Sequence, residues 1–324
     1  MRYTTFGTTD LRVSTICLGT WQGGGDWGAV DPTSYQEIFG AALDAGINFF
    51  DTAQAYGFGA SERLVGEGLA PVLRSRRDEI VLATKGGLRL EGGQLLRDAS
   101  PQWLRSGLED SLRYLGVDHI DLYQLHWPVY DRPLEEVAQT LQSFVDEGKV
   151  RYVGVSNCTV EEMDAFRRGG TLHALQPAYH LFRREIERDA LPYCRDNGIG
   201  VLVYGPLAHG LATGVLSERT TFADGDWRAG HPVFQGESYR ANLRAVDELH
   251  SVAERLGVTL PQLAVAWTLA HPAVDSSIIG TTRARHVTDT AKAADLDLDQ
   301  QVFDEIDRIL GGAVPVGGPA PEAV

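Results

Sequence analysis

Apolar and polar positions along the chain follow two alternating regimes. Short apolar runs recur at 15–21 (TICLGTW), 47–52 (INFFDT), 80–85 (IVLATK), 119–126 (HIDLYQLH), 150–156 (VRYVGVS), 173–177 (HALQP), 199–205 (IGVLVYG) and 276–280 (SSIIG). They are too short for helices and read as strands buried on both faces. Between them the apolar residues fall at helical spacing. The clearest case has Ser100 as N-cap, Pro101 at the first helical position, Leu104, Leu108, Leu112 and Leu115 on one face, and Gly116 as stop. The pattern returns at 133–148 with Leu134, Val137, Leu141 and Val145, and at 237–257 with Leu243, Val246, Leu249 and Leu256.

Strands alternating with helices predict a parallel sheet covered on its outer face, and eight such units close a barrel. The expected fold is therefore a single α/β domain over 1–310, a (β/α)₈ TIM barrel. Two short runs around Gly7–Asp10 predict an N-terminal β-hairpin acting as plug or lid. The gap of roughly 70 residues before the eighth strand is too long for one crossover. It predicts an extra helix and a loop, 220–234, over the barrel mouth. Residues 311–324 (GGAVPVGGPAPEAV) are small, Gly- and Pro-rich and without period, which predicts a flexible C-terminal tail.

Composition narrows the functional classes. With 29 basic and 44 acidic residues the formal net charge is −15, a field that disfavours nucleic acid and anionic membrane. The chain carries no signal-peptide pattern and no apolar run of the roughly 18 residues a membrane helix needs, so a cytoplasmic location is expected. Cys17, Cys158 and Cys194 are sparse and lack metal spacing, and they read as buried fillers in a reducing compartment. No composition signal fixes the oligomeric state.

The stretch 46–62 (GINFFDTAQAYGFGASE) ends a buried strand in Asp51 and turns at once into a Gly-rich loop carrying Tyr56. Alone, Asp51 reads equally as a helix cap and Tyr56 as a packing tyrosine. In a barrel, however, all strand C-terminal ends open onto one face. That face gathers Asp51, Tyr56, Lys85 at the end of IVLATK and His126 at the end of HIDLYQLH. A carboxylate that holds the ammonium, an ammonium that lowers the phenol's pKa and a neutral imidazole that orients a carbonyl oxygen form a proton-delivery set. Trp21, Phe58 and Trp127 would add aromatic walls beside Tyr56 and His126.

One motif competes. GGGDWG at 23–28 fits G-x-G-x-x-G after a strand, as in a Rossmann unit, but Asp31 and Pro32 announce a helix start several residues later than that fold requires.

The segments DTAQAYG, ATKGG and QLHWP resemble the aldo-keto reductase superfamily, as do LGTW (18–21), EGKVRYVGVSN (147–157), LQPAYH (175–180), YGPLAHGLATG (204–214) and IIGTTR (278–283). The resemblance spans nearly the whole chain. It implies a metal-independent oxidoreductase in which hydride passes between a nicotinamide and a carbonyl or alcohol substrate (an aldehyde, a ketone or a sugar or polyol), with Tyr56 as general acid or base. By matching position, Gly19, Thr20, Trp21 and Asp51 would face the cofactor. Ser156, Asn157 and Gln176 would hold the carboxamide, and Tyr204 would stack on the ring. Gly205, Pro206, Leu207, Gly210, Leu211 and Gly214 would pass the pyrophosphate, and Gly280, Thr281, Thr282, Arg283, His286, Asp289 and Thr290 the adenosine. Arg283 suits a 2′-phosphate, so NADP is preferred over NAD. Thr282 and Thr290 stand where relatives commonly carry a basic or serine residue and an asparagine. TTFADGDWR with QGESYRANL resembles the bacterial branch that includes inositol-dehydrogenase-like and general-stress members.

Two other classes remain open at this level. One is a cofactor-binding partner like the potassium-channel β-subunits. The other is a metal-dependent barrel hydrolase, for which no H-x-H or H-E-x-x-H pattern exists.

Overall fold

The computed structural model describes residues 1–25, 31–223 and 226–318. The chain opens with β1 (Tyr3–Thr5) and β2 (Arg12–Ser14), followed by β3 (Ile16–Gly19), α1 (Pro32–Asp44), β4 (Phe49–Asp51), α2 (Ala60–Ser75) and β5 (Val81–Gly86). Next come β6 (Leu88–Glu91), β7 (Gln94–Arg97), α3 (Pro101–Leu115), β8 (Ile120–Leu125), α4 (Leu134–Asp146), β9 (Val150–Ser156) and α5 (Val160–Gly169). The remainder is β10 (Ala174–Gln176), α6 (Ala190–Asn197), β11 (Gly200–Val203), α7 (Gly236–Arg255), α8 (Leu260–Leu269), β12 (Ser276–Gly280), α9 (Ala284–Thr290) and α10 (Gln300–Leu310). Eight strands close a parallel barrel in the order β3-β4-β5-β8-β9-β10-β11-β12, the eight runs read from the sequence.

The helix signals act where expected. Ser100 Oγ accepts from Trp103 N at 3.3 Å, Gly116 ends α3 in the left-handed region, and the four leucines of its face are buried. Asp31 caps α1 by accepting from Thr33 N, with Pro32 at its first position. Leu256 departs from the pattern: it lies just past the last turn of α7 and is 39% exposed.

The β1–β2 hairpin is a plug and not a lid. Phe6, Leu11 and Val13 fill the barrel floor against Cys17, Phe49, Val81 and Leu122, away from the strands' C-terminal ends. This closure matters because a barrel interior left open would lose the apolar burial, about 25 cal/mol per Å², that holds it together. All three cysteines are free and buried. Among the described residues no helix is long and apolar enough to cross a membrane.

The long connection after β11 holds two helices, α7 and α8, preceded by short turns at Trp227–Ala229 and Pro232–Phe234. Asp224 and Gly225 of the predicted mouth loop lie outside the described residues, as do Asp26–Gly28 of the GGGDWG motif.

Residues 313–318 pack on the barrel: Val314 N donates to Asn242 Oδ1 (2.8 Å), Val316 N to the Phe182 carbonyl (2.9 Å), and Val316 is fully buried. Residues 319–324 fall outside the described residues.

Candidate active site

Strand register sets the site. Gly19 of β3 pairs with Asp51 of β4, Asp51 with Ala83 of β5, and Lys85 with Gln124 of β8, so Asp51, Lys85 and His126 emerge side by side at the C-terminal end of the barrel. Lys85 Nζ donates to Asp51 Oδ1 (2.6 Å), to the Thr52 carbonyl (2.9 Å) and to Tyr56 OH (3.3 Å). The second Asp51 oxygen accepts from Gln176 Nε2 at 2.9 Å. The His126 ring meets the Tyr56 ring edge-on, centroids 5.7 Å apart, and Trp21 lies over Tyr56 at 6.4 Å.

Burial dictates the protonation states. It works against the Lys85 ammonium, but the Asp51 carboxylate and the Tyr56 oxygen outweigh it and hold the pKa above the usual value. Burial pushes Asp51 upward while Lys85 opposes it. For this pair we hold to the upward direction at Lys85, whose three acceptors at 2.6–3.3 Å all favour the charged form. Burial, with Lys85 beside it, drives His126 well below its ordinary value, so the imidazole is neutral and a donor from one nitrogen.

The loop that presents Tyr56 is clamped by glycine. A Cβ on Gly24 would stand 2.8 Å from the Tyr56 carbonyl carbon, and one on Gly57, at φ +64°, would stand 2.3 Å from Gly24 O. The glycine-rich run that imitated a phosphate loop thus serves, at Gly24, close approach to the loop carrying Tyr56. From the first turn of α2, Ser61 Oγ donates to the Thr20 carbonyl (2.8 Å) and lies 3.0 Å from the Thr52 hydroxyl. Beside it the fully buried Glu62 accepts from Thr84 at 2.7 Å. The ends of β3, β4 and β5 are therefore fastened to one helix terminus.

Above these groups lies a cavity of about 390 Å³. Gly19, Thr20, Trp21, Asp51, Tyr56, His126 and Trp127 line it, as do Ser156, Asn157, Gln176, Tyr204, Gly205, Pro206, Leu207, Gly210 and Gly280, the last paired with Gly19 across β12 and β3. Asn157 Nδ2 donates to the His126 carbonyl (3.2 Å), and Asn157 Oδ1 accepts from Tyr204 OH (2.7 Å), a phenol that burial raises to about 12.

Other sequence-predicted positions stand outside the cavity walls. Phe58, in the left-handed region at φ +45°, is not among the residues lining the cavity. Leu211 is buried in the core, and Gly214 ends a turn at φ +73°. Thr281 Oγ1 accepts from Arg283 N (3.0 Å) and lies 3.3 Å from His286 Nδ1, while Thr282 and Arg283 are exposed at the start of α9. Asp289 accepts from Gln262 Nε2 through its carbonyl (2.8 Å) and Oδ1 (3.1 Å), and Thr290 is buried at the helix end.

Sequence reasoning missed several walls. Leu88 and Leu95 come from the β6–β7 hairpin, whose Gly92-Gly93 turn, both residues at positive φ, is a signal readable in LRLEGGQLLR. Arg228 comes from the mouth loop, where its guanidinium grips Asp226 (Nη2 to Oδ2 2.6 Å) and donates to the His209 carbonyl (2.8 Å). Gln22, Ala55, His209, Thr213, Ile278, Ile279 and Gly318 complete the set.

The residues fit an extended anionic dinucleotide. One cavity takes in Asp51, Tyr56 and His126 together with Gly205, His209, Gly210, Arg228 and Gly280, and Gly205, Ala208, His209 and Gly210 all take positive φ. A Cβ at Gly205 would meet nothing within 4 Å, so backbone there is open to a ligand. Among the described residues no three His, Cys, Asp or Glu side chains gather as a metal site needs.

The model of the aldo/keto reductase family matches residues 15–310. The chain is 40% identical over 321 residues to aldo-keto reductase YhdN of Bacillus subtilis, covering 98% of this chain and 96% of that one. It is 33% identical to the NADH-specific methylglyoxal reductase of Escherichia coli, covering 92% and 95%. The solved glycerol dehydrogenase of Gluconobacter oxydans superposes with a TM-score of 0.89 at 38% identity, covering 98% and 97%. The chain belongs to the aldo/keto reductase family, the NAD(P)H-dependent oxidoreductases of small carbonyl substrates.

Proposed function

We propose that this protein reduces an aldehyde or ketone, and in reverse oxidises the alcohol, with Tyr56 as the acid or base. The observation that carries this reading is Lys85 Nζ held between Asp51 Oδ1 at 2.6 Å and Tyr56 OH at 3.3 Å, with neutral His126 alongside. A bound nicotinamide would supply or accept the hydride at the substrate carbon.

Tyr56 gives its proton to the carbonyl oxygen as charge develops there. The Lys85 ammonium stabilises the phenolate left behind, and Asp51 keeps that ammonium charged and aimed. His126 donates to the same oxygen and fixes its position. Ser156, Asn157 and Gln176 would hold a carboxamide, Tyr204 would pack on the ring, and the turn at Gly205–Gly210 with Arg228 would face the phosphates. Arg283 and His286 beside Gly280 support NADP over NAD, and a swing of their exposed side chains would bring them to a 2′-phosphate. We also assign the chain, on TTFADGDWR and QGESYRANL, to the bacterial branch with inositol-dehydrogenase-like and general-stress members. Relatives named for methylglyoxal and glycerol support small oxygenated substrates.

The test is Tyr56→Phe. General acid catalysis contributes roughly 10² to 10⁴ in rate. Turnover of a carbonyl panel should fall by that factor while the cofactor dissociation constant, read by fluorescence, stays put. Unchanged turnover would refute the assignment. Tight cofactor binding by the parent chain with no reduction across the panel would favour a cofactor-sensing partner of the potassium-channel β-subunit kind.

A further inference from the structure

The packed C-terminal segment ends at the site. From α10 the chain crosses back, anchored by Val314 N on Asn242 Oδ1, Val316 N on the Phe182 carbonyl and the buried Val316 side chain. Gly318 then forms part of the cavity wall. It abuts His209, since a Cβ built on Gly318 would stand 3.1 Å from His209 Cε1 and Nε2. His209 and Gly210 belong to the positive-φ turn, and Arg228 reaches the His209 carbonyl from the mouth loop. Three separate pieces of chain, 205–214, 226–234 and 313–318, thus meet at one rim of the cavity.

We propose that the strap 313–318 is a detachable wall of the dinucleotide groove, so that its docking and cofactor binding reinforce each other. This rests on the reading of the groove as a nicotinamide dinucleotide site. Among the described residues the strap is held by Val314 N on Asn242, Val316 N on Phe182 and the apolar side chains of Ala313 and Val316, whereas each barrel strand is paired on both sides. Elements with so few anchors occupy the low end of local stability and open without the rest of the fold. A ligand that touches the docked strap shifts it toward docking, and by reciprocity the docked strap slows the ligand's escape. Glycine at 318 suits this role, because a side chain there would crowd the His209 ring.

The experiment compares the full chain with a chain ended after Gly312. NADPH dissociation constants and release rates are read by fluorescence titration and stopped flow. The shortened chain should bind at least about fivefold more weakly, the low end of ordinary coupling between sites, and release faster. Equal constants and rates in the two chains overturn the strap's role and leave the groove assignment standing. If neither NADPH nor NADH binds the full chain, the groove assignment falls and the strap proposal with it. Hydrogen exchange on the intact protein covers the case where the shortened chain misfolds. Saturating NADPH should slow exchange at the Val314 and Val316 amides severalfold, and unchanged exchange there refutes the coupling.

Discussion

The buried Asp51–Lys85 pair is the feature whose removal has the most calculable effect. Both side chains are nearly inaccessible, at 3% and 1% exposure, and the charged atoms are 2.6 Å apart. At an effective dielectric of about 20 their attraction is about 6 kcal/mol. Lys85→Met removes that attraction but leaves the carboxylate buried, with the Gln176 amide at 2.9 Å among its remaining donors. Removing one partner of a buried pair costs roughly 3–5 kcal/mol, against a total stability of about 5–15 kcal/mol. The double change Asp51→Asn with Lys85→Met should recover most of this loss, because a neutral amide needs no counter-ion. The pH dependence has a definite sign. In the Lys85→Met chain, burial keeps the Asp51 pKa above its unfolded value, so the native state retains a proton that the unfolded state releases. The penalty therefore grows as pH rises from about 4 and levels off above the folded pKa, and the deficit should be smaller at pH 5 than at pH 8. Urea unfolding of the parent, the single and the double variants at both pH values reads all of this. A Lys85→Met chain as stable as the parent at pH 8, or a double variant no more stable than the single, would sink the electrostatic account. Neither variant should turn over substrate, which separates stability from chemistry.

Gly24→Ala should lower turnover by tenfold or more, since the new Cβ would stand 2.8 Å from Tyr56 and displace its loop. Because about 1 Å of misplacement can cost 10² in rate, steady-state kinetics with a melting curve will show activity falling further than stability. Acid should destabilise the fold steeply below about pH 6.5. Burial drives His126 and His180 well below their ordinary value and His209 to about 4. All three stay neutral in the native state while the unfolded state takes up their protons. Each contributes about 1.4 kcal/mol per pH unit in that window, and calorimetry between pH 7 and 5 should find the slope reduced in a His180→Gln variant.

What the sequence made legible is what local rules govern. Eight apolar runs became eight barrel strands because a parallel strand covered on both faces is apolar along most of its length, its polar residues being the exception. Ser100, Gly116 and Asp31 act as caps because their signals need only neighbouring amides. Asp51, Lys85 and His126 could be read together because strand ends in a barrel share a face, and the register of β4, β5 and β8 brings them there. The misses have the opposite character. Arg228 and Gly318 reach the cavity from the mouth loop and the C-terminal segment, placements that no local pattern announces. The strap is the sharpest case: a stretch with too few apolar residues to order itself becomes ordered because Asn242 and Phe182, distant in sequence, offer acceptors to its amides. A segment fastened so sparingly is suited to yield, whereas Lys85 with its three partners is suited to stay fixed. In this protein hydrogen bonding therefore divides the wall of the site into a Lys85 end tied at three acceptors and a sparsely tied strap at the rim.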